Sequence, residues 1–116
     1  MREIRTATLV AMASAAVFMA MPAQAQADFS GAGEEAELDC DGGAAVIEGA
    51  SNTLTITGAC TSLTVTGAGN RITVDLAKGS VIRVEGADNV IRWRAPGTAK
   101  PRLNIAGAGN RVARLR

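Results

Sequence analysis

"GASNTLTITGACTSLTVTGAGNRITV", residues 49–74, holds two copies of one spelling, Gly-x-x-Asn, at 49–52 and 67–70. The same spelling returns at 86–89 and 107–110, so its asparagines, Asn52, Asn70, Asn89 and Asn110, follow one another at steps of 18, 19 and 21 residues. One residue after each Asn comes an apolar–x–apolar triplet: Leu54/Ile56, Ile72/Val74 and Ile91/Trp93, with the last copy decaying to Val112 followed by Arg114. Midway between them runs a second series without the Asn: Ala45/Ile47, Leu63/Val65, Ile82/Val84 and Leu103/Ile105. Interleaved, the two series are spaced 9, 9, 9, 10, 9, 12 and 9 residues apart.

Alternation with period two, rich in Thr, Val and Ile, is the pattern of a strand with one buried face. Gly49, Gly67, Gly86 and Gly107 mark turns that need positive φ or close backbone approach. Asn is expected there because it tolerates left-handed backbone. Two strands plus two turns therefore make one period. A fixed period of about twenty residues points to stacked repeats. In an antiparallel sandwich, nothing requires residues one period apart to be alike. In a parallel β-solenoid each coil lies on the one before, and like residues touch. The expected fold is thus all-β: a short parallel solenoid of about four coils of 18–21 residues, two strands per coil. Asn52, Asn70, Asn89 and Asn110 are expected to stack as an amide ladder. Trp93 is expected to point inward as core filler.

The two cysteines, Cys40 and Cys60, lie one period apart and each precedes a mid-coil strand. Stacking brings their Cα atoms to about one strand spacing, inside the ~4.4–6.8 Å a disulfide spans. The chain has no histidine, and two thiols alone make a poor metal site. No cofactor is implied.

Around the repeats, the chain divides into three. Arg2 and Arg5 precede an apolar run, Ala7–Met21, that ends in "PAQAQA". A basic start, a short apolar run and an A-x-A end are the marks of a secretory signal peptide. Residues 1–27 are read as that signal, with cleavage after Ala27 favoured over Ala25. Fifteen helical residues rise only about 22 Å, short of a hydrocarbon core of about 30 Å, so no membrane span is expected in the mature chain. Residues 28–44 read as an acidic N-terminal segment or cap, and 45–116 as the repeat domain. Asp28–Glu48 holds seven acids and no base, whereas Arg71–Arg116 holds ten Lys or Arg against Asp75, Glu85 and Asp88.

The units "GASN", "GAGN" and "GADN", the "TGAC" containing Cys60, the aromatic Trp93 and the proline-bearing corner Pro96–Pro101 together resemble a known family. It is an uncharacterised family of exported bacterial repeat proteins, numbered 3060 among the domains of unknown function, and the resemblance runs from Cys40 to Val112. It implies an exported β-rich repeat domain with no assigned activity.

Several chemistries fit the residues poorly. Polysaccharide-cleaving solenoids need paired carboxylates at a defined separation, and Asp75, Glu85 and Asp88 are scattered through the C-terminal coils. A calcium β-roll needs Asp in each turn, but Thr53, Arg71, Val90 and Arg111 occupy that place. The threonine rows Thr53/Thr55/Thr57 and Thr64/Thr66 decay within two coils, which disfavours an ice-ordering face. Nucleic acid is a poor partner for an exported chain without stacking aromatics. The reading is a non-catalytic exported module, periplasmic or secreted, whose exposed coil ends offer a route to oligomerisation. The alternative is contact with an anionic envelope polymer or lipid head group through Arg92, Arg94, Arg111, Arg114 and Arg116. Asp75 and Arg94 are expected to pair across coils.

Overall fold

The computed structural model describes residues 26–115. The expected signal segment up to Ala25, and the candidate Arg116, lie outside the described residues. Eight strands follow in order: β1 (Gln26–Ala32), β2 (Glu35–Asp39), β3 (Ala44–Ala50), β4 (Thr53–Ala68), β5 (Arg71–Ala87), β6 (Val90–Arg94), β7 (Arg102–Ala108) and β8 (Arg111–Arg114). No helix occurs among the described residues.

Every strand pairing is parallel, and the pairings form two stacks. One stack runs through β1, β3, residues 62–68 of β4, residues 81–87 of β5, and β7. The other runs through β2, residues 53–57 of β4, residues 71–76 of β5, β6 and β8. In the first stack the partners Gln26, Ala44, Ser62, Val81 and Arg102 succeed one another at steps of 18, 18, 19 and 21 residues. The chain is a parallel β-solenoid of about five turns, one more than the repeat count predicts.

The extra turn is residues 26–43. The segment read as an acidic cap winds as the first coil, β1 lying on β3 and β2 on β4. Its corner is Gly31-Ala32-Gly33-Glu34, the repeat spelling with Glu in place of Asn, so a search keyed on Asn passes over it. Ala27 pairs with Ala45 and is 9 % exposed, so the strand already includes the last two residues assigned to the signal.

The corners differ from expectation. Between its halves β4 runs unbroken, and only register shifts between Ile56, Cys60 and Ser62 mark the bend. Coil-to-coil bonds continue round it: Cys40 N–H donates to Thr57 O and Thr61 N–H to Gly43 O. At the Gly-x-x-Asn corners the left-handed residue is the one before the Asn, with φ of 60° at Ser51, 68° at Gly69, 59° at Asp88 and 75° at Gly109. The Asn itself is not left-handed. Gly67 shows why the first position stays glycine: at φ 138° its Cα faces the carbonyl of Gly49 one coil back, and a Cβ there would overlap that oxygen.

Inward residues from the two stacks meet in one core. Ile47, Leu54, Ile56, Leu63, Val65, Val74, Ile82, Val84 and Ile91 are all buried. Full burial of one such side chain contributes about 1.5–3 kcal/mol. The core thins at both ends. Phe29, Ala36 and Leu38 are only partly covered. Leu103 and Ile105, in register with Ile82 and Val84, are 49 % and 41 % exposed because, among the described residues, β7 is covered on one side only.

Candidate functional site

Asn70 Oδ1 accepts from the backbone N–H and the side-chain Nδ2 of Asn52, both at 3.1 Å. Its own Nδ2 donates back to Gly49 O and forward to Asn89 Oδ1, both at 3.0 Å. The amide is fully buried and all four of its hydrogen-bonding sites are used. Asn89 repeats the arrangement, Asn52 does so with its Oδ1 accepting only from the Glu34 N–H, and Asn110 closes it with Oδ1 accepting from Asn89 and Nδ2 donating to Gly86 O. A buried amide column of this kind is stable only when every group is paired. The motif most conspicuous in the sequence therefore holds coils together.

Cys40 and Cys60 form a disulfide with Cα atoms 5.3 Å apart, tying the first coil to the second. Both are fully buried.

The outward face of the second stack carries the charge. Reading from the first coil to the last, it presents Glu35, Glu37 and Asp39, then Thr53, Thr55 and Thr57, then Arg71, Thr73 and Asp75, then Val90, Arg92 and Arg94, and lastly Arg111 and Ala113. One end is acidic, the middle hydroxylated, the other end basic. Arg71 and Arg92 stand on adjacent strands, diagonal to each other, at a spacing of about 7 Å. With Thr53, Thr55, Thr73 and Val90 they line one shallow concavity. Two guanidinium groups, which only donate, beside three hydroxyls, which can donate, suit sulfate, carboxylate or phosphate oxygens.

The arginines chosen from sequence separate into different roles. Arg94 Nη1 lies 3.7 Å from Asp75 Oδ1, a solvent-exposed pair. Arg111 is exposed above Arg71 and Val90 in the same column. Arg114 sits in the inward series, in register with Trp93. Its guanidinium lies 4.7 Å from the Trp93 ring centroid. Its Nη2 donates to the carbonyls of Ala95, Gly97 and Ala99 at 3.3, 3.0 and 3.3 Å. Arg114 thus lids the last core residue and holds the proline-bearing corner. Trp93 beneath it is 7 % exposed. Arg71 was expected on the same arginine face, though outside the five residues named as the anion contact. Its register with Thr53 and its offset from Arg92 are the signals that select it.

Among the described residues, no three His, Cys, Asp or Glu side chains come together as a metal site, and no helix is long and apolar enough to cross a membrane.

A family model described as a protein of unknown function, DUF3060, matches residues 47–109 of the 116. The chain belongs to the DUF3060 family. The matched segment of this DUF3060 chain takes in all four turn glycines, three ladder asparagines and Cys60. The first coil, Cys40 and the last strand lie outside it. No curated protein and no solved structure matches the chain.

Proposed function

We propose that this DUF3060 chain is an exported, non-catalytic structural or interaction module. One observation carries the reading: its recurrent Gly and Asn residues are spent on bonds between coils, so the repeats build a rod with a charged face. Two features support export. The first 25 residues have the make-up of a signal peptide, and the Cys40–Cys60 bridge suits an oxidising compartment. Processing after Ala25 leaves β1 whole, whereas processing after Ala27 removes a buried residue paired with Ala45. The mature protein is expected to begin at Gln26 and to lack free thiols. Intact mass of the protein recovered from periplasm or medium tests this. A full-length cytoplasmic product with two thiols overturns it.

A second reading, contact with an anionic envelope polymer or lipid head group, is favoured by the concavity of Arg71, Arg92 and the three threonines. Retention on a sulfated polysaccharide is expected to be salt-sensitive and to vanish in Arg71→Glu/Arg92→Glu. Retention unchanged by that pair of substitutions rejects the concavity as the contact. Arg114 is excluded from the test because its guanidinium is committed to Trp93 and the corner carbonyls.

A further inference from the structure

We propose that the partner of this rod is a second copy of the same chain, the first coil of one copy seating on the last coil of the next. Both parallel stacks and the amide ladder then continue across the junction. The inference does not depend on export or on the anion reading.

The two ends are unfinished in complementary ways. β1 and β2 each pair on one side, with β3 and β4; β7 and β8 each pair on one side, with β5 and β6. Leu103 and Ile105 of β7 are the large hydrophobic side chains most exposed among the described residues, although their counterparts one coil back, Ile82 and Val84, are fully covered. Extending the register by one coil sets Gly31 of the next copy on Gly107. That shift brings Ala27 over Leu103 and Phe29 over Ile105, apolar on apolar.

The ladder makes the stronger case. Within the chain, the side-chain oxygens of Asn70, Asn89 and Asn110 each accept from the backbone N–H and the amide of the rung before. At Asn110 the backbone N–H and one Nδ2 proton are left without an acceptor among the described residues. Glu34 stands at the ladder position of the first coil, where its N–H donates to Asn52 Oδ1 at 3.0 Å. Its carboxyl lies beside Gly31 as the Asn52 amide lies beside Gly49. A carboxylate only accepts. It therefore matches the two donors that Asn110 presents, although, unlike an Asn at this rung, it offers no amide donor to Gly107 O. The corner backbone continues likewise: Asp88 N–H donates to Ala108 O and Arg111 N–H to Asn89 O within the chain. Gly109 N–H to Ala32 O and Glu35 N–H to Asn110 O are the same bonds at the junction.

Charge sets the polarity. The first coil, 26–43, has six acids and no base, and residues 102–115 have three arginines and no acid. Glu35 falls opposite Arg111 in the extended register. Like ends repel and unlike ends attract, which selects head-to-tail over two-fold pairing. Such a heterologous contact does not close. It yields a linear assembly lengthening by about 24 Å per copy, five coils at ~4.8 Å each.

Gly31 supplies the sharpest test. Inside its own copy the atoms nearest to a Cβ on Gly31 belong to the side-chain ends of Glu34 and Phe29, at 3.1 Å. Gly31 lacks the positive φ of Gly49, Gly67, Gly86 and Gly107, but the extended register seats it on Gly107, where a branched side chain would stand between the two copies. The protein should be expressed from its full sequence, purified as the host processes it, and followed by sedimentation velocity over about a hundredfold range of concentration. The weight-average mass is expected to climb past the dimer without a plateau. Gly31→Val is expected to hold the protein monomeric with little change in its unfolding midpoint. Should Gly31→Val fail to fold, the exposed pair decides. Glu35→Arg and Arg111→Glu should each weaken association about tenfold or more, and the two combined should restore it. A monomer at every concentration, a mass that stops at the dimer, or double-swap behaviour no better than the single variants overturns the proposal.

Discussion

Replacing Asn70 by alanine removes four hydrogen bonds at a site with no access to water. The losses are unequal. Asn52 Nδ2 keeps Gly31 O, and Asn89 Oδ1 keeps the backbone N–H of residue 70. The Asn52 N–H and Gly49 O lose the partner that Asn70 supplied. A buried polar group left unpaired costs about 1–3 kcal/mol, so the two together cost on the order of 4 kcal/mol. Total stabilities run to only about 5–15 kcal/mol. Asn110→Ala removes the same chemistry from the end of the column, where water can replace it, and should cost about 1 kcal/mol. Urea unfolding followed by the fluorescence of Trp93, the only tryptophan, measures both. The two curves should share a slope and differ in midpoint. An Asn70→Ala cost below about 1 kcal/mol, or one equal to that of Asn110→Ala, refutes the ladder as a cooperative buried column.

Three further outcomes are expected. Gly67→Ala should abolish the folded state, because its Cβ overlaps Gly49 O at φ 138°. Gly79→Ala, at φ 72° in open space, should cost only about 1–2 kcal/mol; soluble yield and far-ultraviolet circular dichroism distinguish them. Opening the Cys40–Cys60 bridge, which closes a loop with a sequence separation of 20, should lower stability by about 3 kcal/mol, read as the shift in urea midpoint with and without reductant. Arg114→Ala should redden the Trp93 emission and loosen the 95–99 corner to proteolysis, while Arg92→Ala, outward on the same strand as Trp93, should do neither.

Much of the fold could be read in the letters because parallel stacking turns a period in the chain into a column in space. Residues 18 to 21 apart become neighbours along the stack, so each column imposes its own chemistry on every coil. Hence the recurring Gly, the recurring Asn, the apolar pairs and the spacing of Cys40 from Cys60 were all visible. The first coil was harder to see for the same reason. Glu34 joins the column through its backbone N–H alone, so the column does not demand Asn there, and the spelling changes where the coil still forms.

The repeat, the strand alternation and the stacking of like on like follow from local order along the chain, since each depends on neighbours at a constant separation. The ends do not. Whether Leu103 is covered, whether Arg114 lies over Trp93, and which donors of Asn110 find acceptors depend on the contacts made at the last described coil. Only the folded arrangement decides these, because a terminal coil is covered on one side and the period of the chain does not say by what the other side is met.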